Sequence, residues 1–348
     1  GTLEDRLNDL RMILSADNGG GSSGSPLNIA LFGKVIENPL EEERMERLVD
    51  LFENHVNDYE LALIICNAAR KCSLEPTVLY TRMGDLFWKQ GKSKAAMIMY
   101  QKVRGIQVKT LGAHHLETAQ TMSNTAHVLR HEGKFDQAMA LYQEVLDIRV
   151  KELGPGHVKV SSAFNNMAIV RYKQGKLKEA MDLYQEALDM RLRALGKDHT
   201  DVSIAYNNMA MVLTDQGQLG KAAMMHQKAL KIQLKSLGQD HILTATTYNN
   251  LAHVLHMQSK LEEALAMCQK ALTIRLKTLG PDHSVTATSY NSIANVLHAQ
   301  CELDQAMSMC EKALEIQLKE LGHEHADTAQ TYNSMAMVLS DQGNYEEA

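Results

Sequence analysis

From residue 77 onward, apolar residues recur at spacings of three and four in segments of helical length, and the whole pattern repeats every 42 residues. A leucine-glycine pair closes each copy, with its glycine at Gly112, Gly154, Gly196, Gly238, Gly280 and Gly322. Another glycine separates the two helical segments inside a copy, at Gly91, Gly133, Gly175, Gly217 and Gly343. The pattern predicts two helices per repeat, stacked on their neighbours as an all-α solenoid.

Position 1 of repeats 1 to 7 falls at residues 77, 119, 161, 203, 245, 287 and 329. We therefore expect six full repeats and a truncated seventh over residues 77–348. Alanine recurs at position 8, as Ala126, Ala168, Ala210, Ala252, Ala294 and Ala336, and at position 20, as Ala96, Ala138, Ala180, Ala222, Ala264, Ala306 and Ala348. Such small side chains predict a close crossing of the two helices in a pair.

Residues 1–76 lack the 42-residue landmarks and divide into three parts. Residues 1–18 carry one apolar stripe between charged residues, formed by Leu3, Leu7, Leu10 and Leu14. This predicts a short amphipathic helix, which is marginal alone and needs a partner surface. Residues 19–25 are all Gly and Ser and are typical of a flexible linker. Residues 26–76 show mixed helical patterning, and we expect a helical cap over repeat 1.

The N-terminal segment has the character of an engineered fusion. The chain begins with Gly-Thr, lacks an initiator methionine and carries the Gly/Ser stretch. Native low-complexity sequence has a similar composition. We expect residues 1–25 to be a chimeric addition, a peptide tethered by its linker to the repeats.

The repeat resembles the tetratricopeptide repeat, whose small residues at positions 8, 20 and 27 correspond here to Ala168, Ala180 and Ala187. The 42-residue period, the Leu-Gly-x-x-His sequence of Leu195 to His199 and the Asn-Asn-Met-Ala block that follows look like the kinesin light chains. Nephrocystin-type arrays share this consensus. The resemblance covers residues 77–348. It implies a right-handed superhelix that acts as a cargo adaptor, with the kinesin heavy chain as a further partner and a location near microtubules.

The resemblance also implies that the first helices line a concave groove, with ligand contacts at positions 5, 6, 9, 12 and 13. The expected groove residues are Trp88, Lys89, Ser123, Asn124, Arg130, His131, Asn165, Asn166, Tyr172, Lys173, Asn207, Asn208, Met211, Asn249, Asn250, His253, His256, Asn291, Asn295 and His298. A carboxamide can donate and accept at once, so one asparagine of each pair is expected to reach a peptide backbone and the other a neighbouring helix. The first three repeats make the groove basic and aromatic at one end.

Methionine has two expected roles in the repeats. Met167, Met209 and Met335 fall beside the position-8 alanines and are expected in the core. Met211, Met257 and Met337 fall on groove positions instead. Their flexible thioethers suit the recognition of a helical peptide.

The composition argues against several other functions. A net charge of −6 and 17 aromatic residues disfavour nucleic acid as the partner. Five cysteines without paired spacing favour a reducing, cytoplasmic location, and no apolar run is long enough for membrane insertion. One histidine per repeat, from His115 to His325, is expected to start a helix rather than to bind metal, because residues of successive repeats do not converge. No catalytic motif occurs, so we expect no enzyme activity, cofactor or metal.

Two functions therefore stay open from the sequence. In the first, the groove binds a short, leucine-rich, acidic helical peptide, and residues 1–18 are such a ligand in cis. In the second, residues 1–18 form an interchain coiled coil and the repeats are an oligomerisation scaffold, although two heptads are short for this purpose.

Overall fold

The computed structural model describes residues 76–343, all of whose regular elements are helices. The predicted peptide (1–18), linker (19–25) and almost all of the predicted cap (26–76) lie outside the described residues. The helices within 76–343 are α1 (Pro76–Lys89), α2 (Ser93–Thr110), α3 (Leu116–His131), α4 (Phe135–Leu153), α5 (Val158–Lys173), α6 (Leu177–Leu195), α7 (Thr200–Asp215), α8 (Leu219–Ser236), α9 (Ile242–Met257), α10 (Leu261–Leu279), α11 (Ser284–Ala299), α12 (Leu303–Glu320) and α13 (Ala326–Gln342). The prediction of an all-α array of helix pairs is confirmed.

The chain forms two compact units, residues 1–148 and 149–348, and α4 spans their boundary. In the first unit, α1 packs on α2 and α2 on α3. In the second, each helix from α5 to α13 packs on the next, and the first helices α9, α11 and α13 also touch in order. The odd-numbered helices are therefore the first helices of repeats 1 to 7, as the 42-residue step predicts.

The small residues do bring the paired helices together. Ala168, Ala180, Ala210 and Ala222 have no exposed surface. They lie in apolar clusters with larger side chains from both helices of a pair. A larger side chain at these positions would force the helices apart.

The recurring histidine begins each first helix from α3 to α13. In all six cases its Nδ1 accepts a hydrogen bond from the backbone N–H two residues later, at 3.1 to 3.2 Å. The imidazole therefore does the work that Ser or Asp usually does at a helix N-cap, and satisfies one of the unpaired N–H groups there. The prediction that these are helix-start residues is confirmed.

Position 31 carries a buried polar side chain that joins one repeat to the next in two ways. Where it is glutamine, its Oε1 accepts a hydrogen bond from a threonine at position 3 of the following repeat. These pairs are Gln107 with Thr121, Gln233 with Thr247 and Gln317 with Thr331.

Where position 31 is arginine, the guanidinium donates to a backbone carbonyl at the start of the following first helix. These contacts are Arg149 to Lys159, Arg191 to Asp201 and Arg275 to Val285, at 2.9 to 3.0 Å. Position 3 of the following repeat is then the smaller Ala163, Ala205 or Ser289. Each interface thus matches a residue on one repeat to a residue on its neighbour.

Candidate functional site

A cavity of about 610 Å³ opens on the first helices of repeats 5, 6 and 7, in the second unit. Its lining residues are Asn249, Ala252, His253, His256, Cys268, Ser292, Asn295, Val296, His298, Ala299, Gln330, Asn333, Ser334 and Met337. Ten of these fourteen residues stand at positions 5, 6, 9, 12 or 13, the positions expected to face a ligand. Packing of α9, α11 and α13 side by side brings these positions together.

Five of the expected groove residues line this cavity: Asn249, His253, His256, Asn295 and His298. Cys268, Val296 and Gln330 were not expected. Cys268 comes from the second helix α10, and a pattern that considers only first helices cannot find it. Ser123, Asn165 and Asn291 keep only 7, 8 and 7% of their surface exposed, so they offer little to a ligand.

The cavity wall is polar but carries little charge. Burial lowers the pKa of His256, and nearby His253 and His298 lower it further. No Lys, Arg, Asp or Glu lines the cavity. The carboxylate of Asp341 lies 2.8 Å from Nε2 of His298 at its edge. A neutral occupant therefore fits this wall better than a charged one.

The asparagine pairs take part in hydrogen bonds between repeats. Nδ2 of Asn207 donates to Oγ1 of Thr247 at 2.6 Å, and Nδ2 of Asn208 donates to Oδ1 of Asn165 at 3.0 Å. Asn207 also accepts from Nδ1 of the buried His226 at 2.8 Å. Position 5 therefore contributes to packing between helices, whereas Asn166 and Asn250, at position 6, are only half-buried.

Positions 12 and 13 of neighbouring repeats meet, which the sequence patterns did not indicate. The Trp88 ring lies 4.8 Å from the His131 ring and 5.1 Å from the His127 ring. In the second unit, Tyr172 donates to Asp215, and this bond together with burial raises the pKa of Tyr172 to about 12.

In the first unit, the expected basic and aromatic residues are partly engaged in packing. Trp88 packs against the core cluster of Ala96, Tyr100 and Val128. Arg130 is half-buried and hydrogen-bonds Tyr142. Lys89 and His131 are exposed, and Asn124 accepts a bond from Gln120 at 3.1 Å. The exposed cations nearest to a ligand on this unit are therefore at position 13.

Two methionine populations separate as the spacing predicts. Met167 and Met209 are 7% and 4% exposed, while Met335, in the last repeat, is half-buried. Met211, Met257 and Met337, all on first helices, are 40, 45 and 58% exposed. Exposed thioethers on one surface provide an adaptable apolar contact.

Residues 76–343 contain no group of three His, Cys, Asp or Glu side chains placed to hold a metal ion. Within the same range, no helix combines the length and apolar composition of a membrane span.

A family model described as "Tetratricopeptide repeat" matches six overlapping stretches: residues 74–151, 124–193, 159–235, 201–277, 243–309 and 285–348. The chain has no match among the curated proteins.

Several solved structures share the fold. The BtubC (BKLC) protein from P. vanneervenii is 24% identical with a TM-score of 0.53, over 62% of this chain and 86% of that one. A putative kinesin light chain with nearly identical TPR-like repeats from Podosopora anserina is 21% identical with a TM-score of 0.50, over 60% and 98%. The apo quorum sensor NprR from B. thuringiensis is 17% identical with a TM-score of 0.64, over 99% and 94%. At these identities the likeness extends to the fold.

Proposed function

We propose that this chain, which belongs to the tetratricopeptide-repeat family, is an adaptor that binds a short amphipathic helical peptide on its first helices. The observation that carries the proposal is the cavity on α9, α11 and α13, where polar groups at the expected positions surround an opening beside Met337. Concave sites with a few convergent polar groups are the usual places for ligands. Repeat arrays in general use such extended surfaces for partners.

Side-chain chemistry supports a peptide with an apolar face. Met257 and Met337 offer unpaired apolar surface, while Asn295 and Ser292 offer hydrogen-bond donors and acceptors. An amphipathic helix can place its apolar stripe on the methionines and its polar flank on the carboxamides. Sequence spacing gives residues 1–18 such a stripe, through Leu3, Leu7, Leu10 and Leu14.

Tethering supports occupancy in cis. A seven-residue Gly/Ser linker has a root-mean-square length of about 15 Å by random-coil scaling. Short flexible linkers give effective concentrations on the order of millimolar. A peptide of only moderate affinity would then occupy the surface for most of the time.

The finer assignment is to the kinesin light chain type of adaptor. It rests on the 42-residue period and on the Leu-Gly-x-x-His sequence, and one structural relative carries the name of a putative kinesin light chain. In this proposal the peptide stands for a cargo segment, the kinesin heavy chain is the second partner, and the protein acts in the cytoplasm near microtubules.

The experiment is a titration of a fluorescent peptide of residues 1–18 with a full chain whose own stripe is broken by Leu7→Asp and Leu10→Asp. We expect micromolar binding, and we expect Met337→Asp to weaken it at least about tenfold, because burying a methionine contributes about 1.5–3 kcal/mol. Met224→Asp is the matched control. Met224 has the same 58% exposure but lies on the second helix α8, and its replacement should change binding less than about twofold, as surface substitutions away from a site do.

Equal effects of the two aspartates, or no binding to the parent chain, would contradict the proposal. If the chain with an intact stripe also shows a mass that rises with concentration and the broken stripe abolishes this, residues 1–18 are an oligomerisation element.

A further inference from the structure

Position 24, on the second helix, changes along the array from a large aromatic residue to a small one. Its occupants in repeats 1 to 6 are Tyr100, Tyr142, Tyr184, His226, Cys268 and Cys310. In repeat 1 the tyrosine ring covers position 8 so closely that a Cβ added to Gly84 would lie 2.7 Å from Cε1 of Tyr100. In repeat 3, Tyr184 is 2% exposed and lies in one cluster with Ala168, which again is position 8. An aromatic ring at position 24 therefore fills the space over position 8 of its own repeat.

In repeat 5 this space is open. Cys268 replaces the ring, and both Cys268 and the position-8 residue Ala252 line the 610 Å³ cavity. A thiol ends where a phenol ring would begin, so the volume over Ala252 has no side chain of its own repeat to fill it. Burial raises the pKa of Cys268 to about 12. The thiol is therefore protonated and acts as a small apolar floor rather than as a nucleophile.

The same replacement leaves a hydrogen-bond acceptor without a donor. In repeat 4, the ring of His226 donates from Nδ1 to Oδ1 of Asn207, at position 5. Asn249 is the position-5 residue of repeat 5, and its Oδ1 is buried without a hydrogen-bond partner. Because Asn249 lines the cavity, a donor that enters with an occupant can reach this wall. Buried polar atoms in native proteins are rarely left unpaired.

The rest of the wall selects an uncharged occupant. His253, His256 and His298 surround the opening, and none of the lining residues is Lys, Arg, Asp or Glu. The nearest carboxylate, on Asp341, is engaged with His298. A full charge placed here would lose its hydration without gaining an opposite charge.

We propose that the cavity is a subsite for a tyrosine side chain of a partner protein, whose ring occupies the space over Ala252 and whose hydroxyl donates to Oδ1 of Asn249. The partner supplies the ring that position 24 supplies in repeats 1 to 3. Residues 1–18 contain no Phe, Tyr or Trp, so this occupant comes from another chain. The subsite rests on the proposed peptide-binding function, but its chemistry can be tested without a peptide.

The probe is p-cresol, the tyrosine side chain as a free molecule, added to the full chain with ¹³C-labelled methionine methyl groups. We expect a saturable shift of the Met337 methyl signal, because Met337 lines the cavity, and no shift at Met224 on the second helix α8. Cys268→Tyr should weaken p-cresol binding at least about tenfold, because it places an intramolecular ring in the same space. Cys268→Ser, which keeps the side chain small, should leave binding within about twofold. If Cys268→Tyr does not fold, Cys268→Leu provides the filled cavity.

Toluene tests the hydrogen bond, since it has the same ring and methyl group without the hydroxyl. The preference for p-cresol over toluene should fall about 2- to 10-fold in Asn249→Leu, the range that one net hydrogen bond provides. The subsite is overturned if Met337 does not respond, if the filled cavity binds p-cresol as tightly as the parent, or if Asn249→Leu leaves the preference unchanged. A normal p-cresol result together with equal peptide affinities of Met337→Asp and Met224→Asp would instead reject the proposed function and leave the subsite standing.

Discussion

Arg191→Gln is expected to destabilise the second unit by about 2–4 kcal/mol, the range for losing a buried hydrogen bond to a charged donor together with the packing of its side chain. Arg191 is 5% exposed, donates to the carbonyl oxygen of Asp201 at 2.9 Å and to Oγ of Ser161 at 3.2 Å, and so joins α5, α6 and α7. Glutamine is too short to reach both acceptors. Position 3 of the next repeat is Ala205, which offers no hydroxyl in their place.

The matched change Ala205→Thr provides the control. In Arg191→Gln it supplies the hydroxyl that Gln233 obtains from Thr247, and should recover about 1 kcal/mol, whereas in the parent chain it crowds the arginine and should destabilise. A double-mutant cycle from urea unfolding, followed by circular dichroism, should therefore give a coupling of at least about 1 kcal/mol. Additive effects would show that the two interface types are not matched pairs.

Acidification from pH 6.5 to 4 is expected to destabilise the chain through His226 by up to about 3 kcal/mol, at 1.36 kcal/mol for each pKa unit. His226 is 1% exposed, and burial, with a smaller contribution from His253, lowers its pKa from 6.5 to about 4. The unfolded chain thus binds a proton in this range that the folded chain does not, and the free energy of unfolding falls as the pH falls.

His226→Gln removes the titration and leaves the other acidic and basic groups in place. Urea unfolding at several pH values should give a curve that is flatter between pH 6.5 and 4 than that of the parent chain. An exposed loop histidine, His323, is the control, and His323→Gln should retain the parent's slope. Parallel curves for the parent and His226→Gln would contradict the assignment of a neutral, buried imidazole.

Helix pairs, N-cap histidines and close-packed alanines could be predicted from the sequence because each depends on local spacing. A helix-start histidine needs only its own following N–H groups, and Ala168 or Ala210 needs only the facing helix of its pair. These features repeat with the chain, so a single copy explains all of them.

Properties that depend on two repeats at once were harder to predict. Gln233 and Arg191 occupy the same position, and only the geometry shows that one bonds the side chain of Thr247 and the other the backbone of Asp201. Similarly, Cys268 is a visible departure from tyrosine, but the sequence does not tell whether neighbours fill the space. Trp88 holds a groove position, and its contact with His131 was not predicted from the sequence.

Photo-crosslinking of the tethered segment tests the adaptor account most directly. Leu10 in the stripe is replaced by benzoylphenylalanine, whose ketone reacts readily with methionine, and the full chain is irradiated and mapped by mass spectrometry. The account predicts adducts within one chain on the exposed first-helix methionines Met211, Met257 or Met337. Adducts on the second-helix residue Met224, or adducts only between isotopically distinct chains, would contradict it.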